Sequence, residues 1–214
     1  MKGLVYKDLM TEAHELKRMW IFLLIFLIGF PIMLYGSSED PSELYGMPMT
    51  MCSVMGMVMI NNAFGYDERS NWMQYALTNP VSRIQYYHAK FLTHFVNVLC
   101  GSAAGLVVGM ILAGVTGQLT LPVLGGMLAI AGGTALGVGL LGIVLVPLML
   151  KFGVQKAAFV MLLFFGALIG IGSVVVIGSD YNLPIAISAI AVLVLGAFIT
   201  MYLLGRKWMM EKEF

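Results

Sequence analysis

The sequence predicts an all-α polytopic membrane protein with six transmembrane helices, forming one domain over residues 1–214, and three observations carry that prediction. The chain is 60% hydrophobic and 11% charged, with a mean hydropathy of +0.91, whereas a soluble domain carries roughly 25% charged residues. Its apolar residues gather in six runs, about 19–36, 44–64, 90–115, 121–150, 157–178 and 185–204, of a length to cross the ~30 Å hydrocarbon layer as helices, the first only if nearly upright. Threading these runs through a bilayer puts all 12 Lys and Arg on one side and leaves only Glu39, Asp40, Glu43 and Asp180 on the other. By the positive-inside rule, both termini and the basic loops are cytoplasmic, so the expected location is the plasma membrane.

The same numbers exclude several classes. A net charge of +1 is not that of a general nucleic-acid binder. Cys52 and Cys100 both fall in apolar runs, so no disulfide framework is expected. His14, His88 and His94 show no metal-ligand spacing, and no metal site is expected from them.

Taken in order, residues 1–18 form an amphipathic helix: Leu4, Val5, Leu9, Ala13, Leu16 and Trp20 recur at mostly three- and four-residue spacing, with Lys7, Asp8, Glu12, Glu15, Lys17 and Arg18 over the remaining surface. Such a helix lies on the headgroups or packs on the protein itself. The first span, 19–36, holds Pro31, which is placed to kink it, and reads as retained rather than as a cleaved leader. An acidic loop, 37–43, precedes the second span, 44–64. The polar insert 65–89 follows, then the third span, helical from about Arg83 to Val115. The fourth run, 121–150, exceeds the usual ~20 residues and must tilt, bend or project. Spans 157–178 and 185–204 complete the chain before a basic tail, with Trp20 and Trp208 at interfacial positions.

Local chemistry gives the insert structure of its own. Asp67 or Ser70 is placed to cap a short helix through Leu77, and Asn79 with Pro80 stops it. Ser82 and Gln85 then form a capping box, so a second helix starts near Arg83 and runs into the third span. The short helix displays Trp72, Met73, Tyr75, Ala76 and Leu77. Exposed aromatics there call for a cover, either a partner protein or the headgroups.

Asp67, Glu68, Trp72, Tyr75, the run Pro80, Val81, Ser82 and Arg83, and Lys90, set between the second and third of six spans, resemble the intracellular loop of the small bacterial permeases of the type-two ABC exporter family. Lys2, Gly3 and Leu4 followed by Lys7, Asp8 and Leu9 are similar to that family's N-terminus. Asn79 is a departure, standing where the family's pattern has a hydrophobic residue. The resemblance implies that residues 65–89 are a cytoplasmic coupling loop whose short helix is the coupling helix. Its Asp67, Glu68, Arg69, Trp72, Tyr75, Pro80 and Arg83 would dock an ATP-binding cassette ATPase subunit, and residues 1–18 would be the elbow helix. It also implies a second permease copy or paralogue as partner. The chain has no GxxxxGK[ST] phosphate loop, so ATP and Mg are expected on the partner subunit, with no cofactor and no catalytic residue here.

No Asp, Glu, Lys or Arg lies deep in a span, which argues against an ion-coupled carrier. Lys90, His94, Asn97, Gly101, Gly105 and Gly109 recur along one face of the third span. The three glycines read as an intrachain packing face or a dimer seam. Asn61, Asn62, His94 and Asn97 are candidates for a translocation path, mostly apolar with a few hydrogen-bonding groups, suited to amphipathic or hydrophobic cargo such as a peptide, toxin or drug. Two rival readings stand beside the exporter. Met47, Met49, Met51, Met55, Met57 and Met59 with Cys52 have the ligand chemistry of a Cu(I) transporter, although their spacing spreads them around a helix. A non-transporting membrane scaffold would share the layout but recruit no ATPase.

Overall fold

The computed structural model describes residues 2–24, 29, 41–178 and 183–211, and every element among them is helical: α1 (Lys2–Leu24), α2 (Pro41–Arg69), α3 (Trp72–Thr78), α4 (Arg83–Val115), α5 (Leu121–Phe152), α6 (Val154–Gly178) and α7 (Leu183–Glu211). Pro31, most of the acidic loop and the side chain of Trp20 lie outside the described residues. Among the described residues, three helical stretches are long and apolar enough to cross a membrane: Arg83–Val115, Leu121–Phe152 and Ser188–Glu211. Their outward faces carry exposed large hydrophobics, among them Leu99, Ile111, Leu136, Leu195 and Ile199, a surface that suits lipid and not water.

Two expected boundaries move. The break between an N-terminal helix and the first span is absent, because α1 continues to Leu24; nothing between Leu16 and Leu24 is a Gly or Pro that would interrupt it. The second apolar run does not stop at Phe64 either: α2 carries Asp67, Glu68 and Arg69 as its last turn. Consequently neither Asp67 nor Ser70 caps α3. Its N-cap is Asn71, with φ 51°, a left-handed conformation that Asn tolerates. The α4 start matches the sequence reading: Ser82 and Gln85 form a reciprocal capping box, and α4 spans Arg83–Val115. α5 opens with Pro122 in its first turn, where the missing N–H costs nothing.

Packing centres on the α2–α4 pair, with α5 against both and α7 across α5. The glycine face of α4 is what lets α2 approach. A Cβ on Gly101 would stand 2.4 Å from the Cys52 carbonyl oxygen, and one on Gly105 2.8 Å from the Met49 carbonyl oxygen. Gly56 reciprocates from α2, with the Asn97 carbonyl oxygen 2.4 Å from its Cβ position. The face that read as either packing or dimer seam is thus covered by α2 of the same chain. Ser53, Ser102 and Thr134 join α2, α4 and α5 by hydroxyl contacts of 2.8 and 3.1 Å. The main core lies toward the polar end, around Ile60, Phe64, Tyr87, Val144, Leu148 and Met209; a smaller one, with Tyr45, Met49, Ala113 and Met127, lies toward the other. α7 continues past the apolar run 185–204 to Glu211, with Met209 buried in the main core.

Gly101→Ala forces α2 and α4 apart and lowers the thermal unfolding midpoint of the purified protein, at a cost of roughly 1–3 kcal/mol. Gly133→Ala, whose Cβ meets nothing within 4 Å, leaves the midpoint unchanged or raises it, by up to about 1 kcal/mol.

Candidate functional site

Asp67 and Lys90 do not project freely; with Lys7 and Asp8 of α1 they converge on a buried cluster joining α1, α2 and α4. Lys90 Nζ lies 2.9 Å from Asp8 Oδ2 and 2.7 Å from Asp67 Oδ2. Lys7 Nζ lies 3.0 Å from Asp8 Oδ1 and donates to Asp67 Oδ1. The Tyr86 hydroxyl donates to Asp67 Oδ2 at 2.5 Å, and the Lys90 ammonium sits 4.8 Å from the centre of the Phe64 ring. Lys90, Asp8 and Asp67 are almost wholly buried. Charges so deep are tolerable only because each has hydrogen-bonding counter-charges.

This arrangement corrects the reading of α1. Its buried face is Val5, Asp8 and Glu12, while Ala13, assigned to the apolar stripe, is exposed. Acidity alone points Asp8 and Glu12 to the outer surface, yet their spacing with Val5 puts them on one face. What the sequence alone does not supply is the buried lysine on α4 that recruits Asp8.

α3 sits over the cluster. Trp72 is half-buried, with Lys7 Nζ 4.8 Å from its ring centroid, and Ala76 is buried. Tyr75, whose ring centroid is 5.2 Å from that of Trp72, is 60% exposed. The helix therefore has an anchored side and a free side. Around it, Glu68 accepts a hydrogen bond from the Val154 backbone N–H at 2.9 Å and so caps the start of α6. Gly153 at that turn has φ +79° and would place a Cβ 2.9 Å from Glu68 Oε1, so only glycine fits there comfortably. Arg83 donates to the Met210 carbonyl at 2.5 Å. Arg69 bonds back to the Gly65 carbonyl of its own helix, and Arg69 and Pro80 are exposed. Lys151 stacks 3.8 Å from the Trp208 ring centroid. All seven described helices thus meet at one end through ion pairs, hydrogen bonds or cation–π contacts.

The candidate path residues do not share one cavity. His94 turns toward α5, with Nε2 3.3 Å from the Val138 carbonyl and its ring against Gly142. Asn97 turns the other way, into a cavity of about 380 Å³ between α1, α2 and α4 that Glu12 also lines. Asn61 and Asn62 are half-buried and border neither feature. The methionines are dispersed around α2: Met49 is buried against Gly105 and Gly109, whereas Met47 and Met51 are exposed. Among the described residues no group of three or more His, Cys, Asp or Glu is placed to hold a metal ion.

Burial pushes the Glu12 carboxyl up to about 7, reinforced by Asp8 and opposed by Asn97, Lys90 and Lys7. A family model described as ABC-2 family transporter protein matches residues 3–209. No curated protein and no solved structure matches the chain.

Lys90→Met leaves Asp8 and Asp67 with one lysine between them and destabilises the protein by about 3–5 kcal/mol, read from thermal or denaturant unfolding. Glu12 gives a pH signature of opposite sense to an ordinary ion pair. Between its ordinary value of 4.5 and about 7 the native protein holds a proton that the unfolded chain has released. Stability therefore falls as pH rises through that window and levels off above it. Glu12→Gln flattens this slope, and an unchanged slope would show that Glu12 is not its source.

Proposed function

We propose, from the premise that this chain belongs to the ABC-2 family of transporter proteins, that it is the permease subunit of an ATP-driven exporter and that α3 is the helix through which the ATPase acts on it. Membership makes the chain a membrane subunit of an ABC transporter that works with an ATPase subunit. The finer assignment rests above all on the two-sidedness of α3: Trp72 and Ala76 hold it to the bundle while Tyr75 is left open to a partner.

In this reading α1, α2 and α6 join the three long apolar helices to make six spans, with α1 entering the bilayer near Met19. Both termini and α3 lie in the cytosol, on the side of the basic residues. ATP and Mg are held by the partner, and two permease copies or paralogues face each other across the exit path. Amphipathic or hydrophobic cargo, a peptide, toxin or drug, suits a passage whose walls are mostly apolar.

The coupling follows from the contacts. A push on Tyr75 is borne by Trp72 and reaches Lys7 on α1. Through Asp67 and Lys90 it reaches the ends of α2 and α4, whose glycine-mediated fit makes them move as a pair. Glu68 carries the same displacement to α6 by its bond to Val154. The chain does no covalent chemistry in this scheme; its residues hold geometry and transmit it.

Tyr75→Ala weakens co-purification of the cognate ATPase by about tenfold or more, a loss typical of an aromatic anchor, while insertion and thermal stability stay as in the parent. Glu68→Ala acts differently, loosening the turn between α5 and α6 and lowering ATP-driven transport more than ATPase binding. A cysteine placed at 75 that reacts only with reagents added outside intact cells would overturn the assignment.

A further inference from the structure

We propose that the cavity between α1, α2 and α4 binds an amphiphile bearing one protonated amine, with Glu12 as its counter-charge. This deepens the permease reading by naming a cargo class and depends on it only for the step from binding to transport.

The cavity has a volume of about 380 Å³, within the range of sites that hold small organic ligands. Its walls are apolar, with Leu16, Met55, Met59, Cys100, Ala104 and Val108 among them. Two polar side chains break that surface, and both are unsatisfied. Glu12 is 2% exposed and its nearest polar company is the Asn97 side chain, yet neither Glu12 oxygen nor Asn97 Nδ2 completes a hydrogen bond of good geometry, and Asn97 carries no counter-charge for the carboxyl. A buried carboxylate without partners is costly, and such groups are rare without a reason.

The neighbouring charges do not supply one. Lys7 and Lys90 face Glu12 from α1 and α4, but each is already paired with Asp8 and Asp67. Two cations and two anions make that cluster neutral, so Glu12 is the surplus acid. An incoming ammonium group would give it a hydrogen-bonded counter-ion, and the apolar walls would take the hydrocarbon. An anionic amphiphile meets an uncompensated carboxyl there; a neutral one leaves it as it is. Asn97 Nδ2 remains to donate to a carbonyl or hydroxyl oxygen on the same ligand. Since burial holds the free carboxyl near neutrality, amine binding drives off its proton and tightens as pH rises through about 7.

Cys100 lines the cavity and is exposed, which gives a readout independent of transport. The full chain in zwitterionic lipid nanodiscs is treated with iodoacetamide, and alkylation of Cys100 is followed by mass spectrometry in the presence of decylamine, decanol or decanoate. Decylamine slows alkylation by about tenfold, the scale expected of a buried charge pair, and decanol and decanoate do not. Glu12→Gln, which mimics the protonated acid, removes the effect. Equal protection by decanol, or decylamine protection that survives Glu12→Gln, would overturn the proposal; the three-amphiphile comparison needs no variant to do so. ATPase recruitment is measured on the same preparation. Protection without recruitment keeps the site and sinks the permease reading, and recruitment without protection does the reverse.

Discussion

Lys90 sets the terms for the rest of the molecule. Its ammonium is withdrawn from water at the point where α4 leaves the polar end, and an isolated charge there would be costly by several kcal/mol. Asp8 and Asp67 make it tolerable, and they must arrive from two other helices to do so. That requirement fixes the angle at which α1 lies on the bundle and draws α2 a full turn beyond its apolar segment, through Arg69. Lys7 then balances the second carboxylate and supplies the cation over which Trp72 rests. A neutral, fully paired cluster of this kind adds little net stability against an apolar substitute, but it admits few alternative arrangements. Its effect is on position: three helix ends and the short helix above them are tied at one place.

From that place the structure is stiff in one direction and loose in another. α2 and α4 touch backbone to backbone at Gly56, Gly101 and Gly105, where no side chain is available to yield. The pair therefore transmits a tilt along its length. Among its described side chains, α1 shows no comparable interlock beyond the cluster and borders a cavity instead. α6 is held at its start by Glu68 and at the turn by the conformation of Gly153. Around α3 the bundle thus combines a closely fitted α2–α4 pair with α1 and α6, which pack on it through side chains, a workable layout for converting a local push into a change of access.

Much of this was legible in the residues. The Ser82 and Gln85 capping box, the start of α4, the run from Leu121 and the glycine face all follow from short-range chemistry, and short-range rules are the ones a sequence carries. Where prediction missed, a long-range partner was decisive. Asp67 reads as a cap for a short helix, since nothing nearby in sequence reveals Lys90 as its counter-ion. Asp8 and Glu12 read as solvated, since acidity normally means exposure. The bond of Glu68 to Val154 likewise spans a separation no local pattern encodes. His94 and Asn97 recur on one stretch of helix, yet α5 claims the first and the α1 cavity the second.

The same cluster constrains how the α1 cavity can open. Moving α1 away from α2 and α4 separates Asp8 from Lys90 and Lys7 from Asp67. Where water can follow, hydration recovers most of that loss, because exposed pairs are worth little. Where only lipid can follow, each charge would be stranded in hydrocarbon. Opening must therefore start at the polar end, with water entering as the pairs part, and not at the apolar wall that Ala104 and Val108 line. A push on α3 reaches that end first, through Trp72 and Lys7. In the proposed coupling, exposed Tyr75 and the α1 wall of the cavity are linked through Trp72 and Lys7, and the direction of opening follows from where that cation can be hydrated.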